Sequence, residues 1–402
     1  MIDGGSEVRK SMVIGPARIL DSGAGARLAA PVTRGSHRQE LWYSVTREYA
    51  EWLSVNTSDA FALVLLPFAM QEGENLVVEG ALSERLFYCL SRYVGPLLKL
   101  IMPHTEIVSI LPQELSREPV RPSAGAVVTG FTGGVDSFCT LADHYYDKVP
   151  ETYKLTHLIF NNVGSAGEGG DALFEERYAS LRPLADDLGL PLVKVNSNLT
   201  QISNFSFQKT HTLRNASAVL TMQKLFSKYF YSSGVPYANC SAAQPPDIAY
   251  ADPMMVHLLS TESTECIPTG SQYTRIQKME RVAGMEASHE HLDVCASPAS
   301  AGCCSVCWKC MRAQLTLEIL GKLHLYDKAF DSNKYLDARP GQIVHLLSSP
   351  NHFDREVAIL AEQKGHRFPL KLRLIALLKS IHATNLVPAP LKRFLKHLLL
   401  KN

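Results

Sequence analysis

The alternation of apolar and polar positions divides the chain into three zones. Over residues 1–120, short β-rich runs alternate with helical spacing. Positions 61–67 (FALVLLP) and 75–78 read as strands, and the apolar periodicity of 83–100 predicts a helix. The stretch 112–124 (PQELSREPVRPSA) has three prolines and four charges and reads as a linker. From 125 to 323, strands predicted over 126–131, 155–161 and 192–195 alternate with helices predicted over 137–146, 173–188 and 213–230. That rhythm argues an α/β, doubly wound parallel sheet with ligands at the carboxyl ends of its strands. Residues 324–402 are mostly helical, interrupted by Pro369, Pro388 and Pro390. The expected organisation is an N-terminal accessory α/β domain (1–120), a central α/β domain (125–323) and a helical C-terminal region (324–402).

Composition narrows this little. A chain of 402 residues, 46 % hydrophobic and 20 % charged, is ordinary globular material. Its length suggests two or three domains at roughly 150 residues each. Forty Lys and Arg against 39 Asp and Glu leave a net charge of +1, so no global basic field points to nucleic acid. The longest apolar runs, such as 61–70, fall short of the ~20 residues of a membrane span. The N-terminal MIDGGSEVRK carries both charge signs and leads into no apolar signal core. The expectation is a soluble, cytoplasmic protein. The tail 369–402 sets Lys371, Arg373, Lys379, Lys392, Arg393, Lys396 and Lys401 among leucines. Such a stripe packs on its own domain with its lysines in water more often than it binds membrane or nucleic acid.

Chemistry concentrates in two motifs. In the first, the apolar run 127–131 leads into Thr132, Gly133, Gly134, Val135, Asp136 and Ser137, followed at once by helical spacing. Glycines let backbone N–H groups approach an anion without Cβ interference. The unsatisfied N–H groups and dipole of a helix start favour phosphate. Thr132 and Ser137 add hydroxyls, while Asp136 beside a phosphate would repel it unless Mg²⁺ lay between them. The plain alternative is a glycine turn with an Asp/Ser helix cap. Neither G-x-x-x-x-G-K-[ST] nor G-x-G-x-x-G occurs. The string T-G-G-V-D-S resembles the S-G-G-x-D-S loop of the PP-loop ATP pyrophosphatases. That resemblance implies an adenine nucleotide alpha hydrolase-like fold and ATP cleaved between its α- and β-phosphates, giving an adenylated substrate and pyrophosphate.

The second motif is a cysteine cluster. Of nine cysteines, five fall at 295, 303, 304, 307 and 310. Cys295, Cys304, Cys307 and Cys310 form C-x8-C-x2-C-x2-C, a spacing that brings four thiolates to one tetrahedral Zn²⁺. Cys303 is the spare, and the spacing alone leaves open its exchange with Cys304. A redox C-x-x-C and an iron–sulfur cluster are weaker readings. Lys309 and Arg312 would offset part of the charge of a Zn(Cys)₄ unit. Loop and cysteines together resemble 7-cyano-7-deazaguanine synthase, over residues 125–320, half the chain. Leu213-Arg214-Asn215 is similar to that family's P-x-R-N element, with Thr212 where proline is usual. Tyr273-Thr274-Arg275-Ile276-Gln277-Lys278 is similar to its T-K segment. The flanking regions have no counterpart in the short synthase and look like the longer synthase-like proteins of bacterial gene clusters, anti-phage operons included.

The resemblance implies adenylation of a purine-like carboxylate, 7-carboxy-7-deazaguanine, with release of AMP and pyrophosphate. Amide or nitrile formation with ammonia, or conjugation to an amine of a protein partner, would follow. The implied cofactors are ATP, Mg²⁺ and Zn²⁺. Asp136 would take Mg²⁺, and Lys278, Arg275 and Arg214 would neutralise phosphate charge. Asn161, ending a strand, falls where adenine would sit; Asn215, Asp247 and Asp252 would read substrate. The bland readings are solvated cations at helix starts and carboxylates capping turns. The glycine-rich 164–170 reads as a connector. Two other functions compete. Sulfur transfer to RNA would use Cys240 and Cys266 outside the metal cluster; a non-catalytic nucleotide-binding subunit would tolerate a degenerate loop.

Overall fold

Among the described residues the chain divides into two units, 10–132 with 140–272, and 133–139 with 273–383. The structure is a computed structural model, and it describes residues 10–383 apart from 166, 168, 203–204 and 298–300. Lys392, Arg393, Lys396 and Lys401 of the basic tail therefore lie outside the described residues, as do Pro388 and Pro390.

The first unit is built on one mostly parallel sheet of eleven strands. They are β1 (Ser11–Ile14), β2 (Arg18–Asp21), β3 (Gly25–Arg34), β4 (His37–Thr46), β5 (Asn75–Ser83), β6 (Ile110–Ser116), β7 (Ala126–Gly130), β8 (His157–Asn161), β9 (Leu192–Ser197), β10 (Phe226–Ser232) and β11 (Glu265–Thr269). The spatial order is β11-β10-β7-β8-β9-β4-β3-β1-β5-β6, with β2 on β3. From β11 to β9 every pairing is parallel. Val127 and Val128 of β7 are buried, as the apolar strands of a covered parallel sheet must be. Chain order reverses at β7, which has β8 on one side and β10 on the other. In open α/β sheets such a reversal marks the carboxyl strand ends where ligands bind.

The expected division at 120–125 differs from the observed one. β4 pairs antiparallel with β9, Tyr43 opposite Ser197 and Val45 opposite Val195. Asn198 fastens the seam, accepting from the Trp42 N–H at 2.9 Å and donating to the Glu40 carbonyl at 2.7 Å. One apolar cluster runs from Met12 and Leu28 through Phe61 and Leu76 to Val193 and Tyr229. The N-terminal strands are thus an extension of the central sheet and share its core.

Three element predictions fail for physical reasons. Residues 61–67 lie in the helix Asp59–Glu72, not in a strand. Phe61, Leu63, Leu65, Leu66 and Met70 are all buried, and a run buried all round has no period to distinguish the two structures. Asp59 anchors its start, accepting from the Ser83 N–H at 2.8 Å and the Ser83 hydroxyl at 2.6 Å. Residues 110–116 form β6, so the expected linker begins later. Pro112 is tolerated there because β6 is an edge strand. The helix expected over 213–230 is the helix Phe207–Leu220 followed by β10. No glycine or proline marks that break, and the aromatic FSKYFYS segment takes the strand slot between β7 and β11.

The second unit is helical. The helices Arg275–Val282, Trp308–Ile319, Ser332–Ser348 and His352–Gln363 enclose Ile276, Leu315, Ile343, Leu346, Val357 and Leu360. In the helix Leu370–Ala383, Leu372 packs on this core, while Leu370, Leu374 and Leu377 are exposed. Over its described part, the expected stripe is therefore covered only on one side. Among the described residues, no helix is long and apolar enough to cross a membrane.

Candidate functional site

The second unit brings three of the predicted site residues together. Gly133 takes a left-handed φ of 73°, a conformation glycine adopts at no steric cost, and it turns the chain into the helix Val135–Leu141. That helix runs on without a break through the turn Ala142–Tyr146. The Gly134 carbonyl accepts from the Phe138 N–H at 3.0 Å and the Ser137 hydroxyl at 2.9 Å. Asp136 meets the Lys278 ammonium at 2.7 Å and the Arg275 guanidinium at 3.0 Å. Lys278 is 1 % exposed. Both cations lie on one face of the helix Arg275–Val282, three residues apart. A capping box fixes the start of that helix: Thr274 Oγ1 accepts from the Gln277 N–H, and the Gln277 carboxamide accepts from the Thr274 N–H. Glu356 Oε2 accepts the Arg275 N–H at 2.8 Å, and the Arg275 guanidinium stands over Phe353 at 5.4 Å. Burial pushes the Asp136 carboxyl upward, but the Arg275 and Lys278 charges outweigh it and hold the group below its ordinary value.

The cysteine sulfurs form a closed group. Those of Cys295, Cys304, Cys307 and Cys310 lie within 4.8 Å of one another. A tetrahedron with Zn–S bonds of about 2.3 Å has edges of about 3.8 Å, so small side-chain shifts would close it. Backbone N–H groups point at the sulfurs. Cys304 N donates to Cys295 Sγ at 3.4 Å, Cys307 N to Cys304 Sγ at 3.2 Å and Cys310 N to Cys307 Sγ at 3.5 Å. Such donors stabilise thiolates, and the donor set fits a structural Zn²⁺. Cys303 stays outside the group, donating to the Leu292 carbonyl and accepting the Val294 N–H. The choice that spacing left open therefore falls to Cys304. Arg312, expected to offset the cluster's charge, instead donates to Asp354 at 2.9 Å and stacks on Trp308 and Phe353. Lys309 lies over Trp308. Asp293 joins loop and cysteines. Its N–H donates to the Gly133 carbonyl at 2.8 Å, while its carboxylate accepts from the Cys295 and Gly302 N–H groups.

The first unit holds the remaining predicted residues, Thr132 among them on the exposed turn after β7. Arg214 is buried, and its guanidinium donates to the carbonyls of Val163 and Phe205 and to the Thr210 hydroxyl. It braces the turn after β8, a structural use for the charge. Asn161 ends β8 and its side-chain amide donates to Asn215 at 3.4 Å, while its side-chain Oδ1 is buried without a hydrogen-bond partner. Asn215 donates in turn to the His211 carbonyl. Asp247 caps the turn Ile248–Ala251, as the bland reading held, but also accepts from His211 Nε2 at 2.7 Å. Asp252, 1 % exposed, accepts from the Thr212 hydroxyl at 2.8 Å.

Sequence reasoning missed His211, Tyr231, Glu356 and Asp293. His211 was within reach, since it precedes Asn215 by one helical turn on the same face. Tyr231 follows directly on the segment read as helix and lies in β10. Comparison of the chain with family models, curated proteins and solved structures finds no match.

Proposed function

We propose that this protein is a PP-loop enzyme that adenylates a carboxylate, of the 7-carboxy-7-deazaguanine class, and passes the activated acyl group to ammonia or to an amine of a protein partner. The observation that carries the reading is the Asp136–Lys278–Arg275 cluster, set on a glycine turn that follows the strand at the sheet's order reversal. A carboxylate does not acylate amines at neutral pH because its oxyanion leaves poorly, and transfer to AMP supplies a good leaving group. ATP supplies the α-phosphorus to be attacked and the pyrophosphate to depart. In this reading Lys278 and Arg275 take up the charge that develops on pyrophosphate, and Asp136 orients them and offers an oxygen to Mg²⁺. Gly133 and Gly134 let the phosphates approach the backbone at the helix start, with Val135 and Ser137 in its first turn. The four cysteines hold zinc as a structural ion.

Sulfur transfer draws little support from the thiols outside the cluster. Burial pushes Cys266 up to about 12 and raises Cys240 as well, so neither is a ready thiolate at neutral pH. The test is incubation of the zinc-loaded protein with Mg·ATP, 7-carboxy-7-deazaguanine and ammonia, followed by chromatography and mass spectrometry. AMP, pyrophosphate and an amide or nitrile are the expected products, and leaving out ammonia tests for a protein acceptor. ATP left intact under conditions where an authentic synthase turns over would refute the reading.

A further inference from the structure

Resting on the adenylation reading above, we infer that Glu356, in the helix His352–Gln363, is a positioning residue for Arg275. An α-helix leaves the N–H groups of its first turn without partners inside the helix. At the start of Arg275–Val282 these donors are taken. Glu356 accepts from the Arg275 N–H at 2.8 Å and from the Ile276 N–H, and Thr274 Oγ1 accepts from the Gln277 N–H. The cap residue thus closes one side of the helix start, and a carboxylate 81 positions further along the chain closes the other. With those N–H groups occupied, an anion there is met by the Arg275 and Lys278 side chains instead.

Glu356 grips the main chain of Arg275 and not its guanidinium, so it places the side chain without consuming its charge. Among the described residues, the guanidinium has one hydrogen-bonded partner, Asp136 at 3.0 Å, and it stands over the Phe353 ring at 5.4 Å. The side chain is 22 % exposed, and the rest of its N–H fork is open to an oxyanion. Phe353 and Glu356 lie three residues apart, on one face of their helix. That helix is firmly seated. Asn351 caps its start, accepting from the Phe353 N–H at 2.9 Å. Buried Asp354 accepts from Arg312 at 2.9 Å and from the Ser349 hydroxyl at 2.6 Å, and Val357 and Leu360 share a core with Ile276. As the bond between the α-phosphorus and its bridging oxygen breaks, the electron pair goes to pyrophosphate. The Arg275 fork must already stand where that charge appears. Glu356 supplies this placement from the helical C-terminal region, which the sequence places outside the nucleotide-binding domain.

The experiment is a double-mutant cycle on the zinc-loaded, full-length protein with Mg·ATP, 7-carboxy-7-deazaguanine and ammonia, read as AMP release. Glu356→Ala should lower kcat about 30-fold with the KM for ATP within about threefold, because the lost placement matters only as charge develops. Glu356→Gln keeps an oxygen acceptor for the N–H groups and should stay within about fivefold. In an Arg275→Ala background, Glu356→Ala should cost less than about twofold, since the group it places is gone. Phe353→Leu should show the same dependence on Arg275, which guards against one variant failing to fold. Equal losses in the two backgrounds, or an unchanged kcat in Glu356→Ala, would overturn the positioning role and leave adenylation standing. Absence of carboxylate-dependent AMP from the unmodified protein would overturn adenylation itself, and the positioning role with it.

Discussion

Asp136 lies between two cations, one of them almost wholly buried, and each charge is tolerable there only because of the others. Asp136→Asn leaves the Lys278 ammonium buried beside an uncharged amide. It should lower stability by about 3 kcal/mol in urea denaturation. The pH dependence has a definite sign. Because the folded carboxyl titrates below its unfolded value, its contribution is full above about pH 4 and is lost as pH falls through the folded value. The unfolding temperature of the unmodified protein should therefore drop more steeply below about pH 4 than that of Asp136→Asn. A parallel acid dependence in the two proteins would remove this role from Asp136. At this scale the sequence was informative. Asp136 stood out because charge beside a glycine turn is chemically conspicuous, and Lys278 and Arg275 stood out in a segment that resembles the synthase family's T-K element. Arg214 stood out equally, yet its partners are carbonyls, and nothing in a residue's identity says which partner it will meet.

The cysteine segment is the element most fully legible in the sequence, because its geometry is local. A C-x-x-C step sets each sulfur within reach of the amide three residues on, and two such steps in succession build most of a tetrahedron. What spacing could not decide was Cys303 against Cys304, since adjacent residues differ only in the direction of the side chain. Cys304→Ser should abolish stoichiometric zinc by elemental analysis, and Cys303→Ser should retain it. The reverse pattern would exchange their roles. Less local elements were read less well. The helix Asp59–Glu72 and strand β10 were each assigned the opposite structure, the helix because its apolar run is buried nearly all round and carries no period, and β10 because no glycine or proline separates it from the helix before it.

Over the first unit, the sheet continues from β4 into β9, and residues on either side of position 120 share one apolar core. A chain beginning at residue 121 would lose β1 to β6 and leave β9 as an exposed edge beside an open core. It should be insoluble or bind a hydrophobic dye strongly, whereas an independent N-terminal domain would leave a well-folded remainder with sharp, dispersed amide resonances. The proline-rich stretch that suggested a boundary is partly an edge strand, where proline is harmless.

Sequence by itself determined what depends on neighbours along the chain: the α/β rhythm from 125 onward, the glycine turn entering a helix, and the four-cysteine spacing. Each follows from backbone conformation and reach over a few residues. Tertiary structure alone decided what depends on partners far away in the chain. It merged the N-terminal strands into the central sheet, gave the Arg214 guanidinium to two carbonyls, and set Arg275 and Lys278 against Asp136 at separations of 139 and 142 residues. It also aligned Tyr231, His211 and Asp247. Burial and hydrogen-bond satisfaction settle such choices, and both are properties of the packed whole.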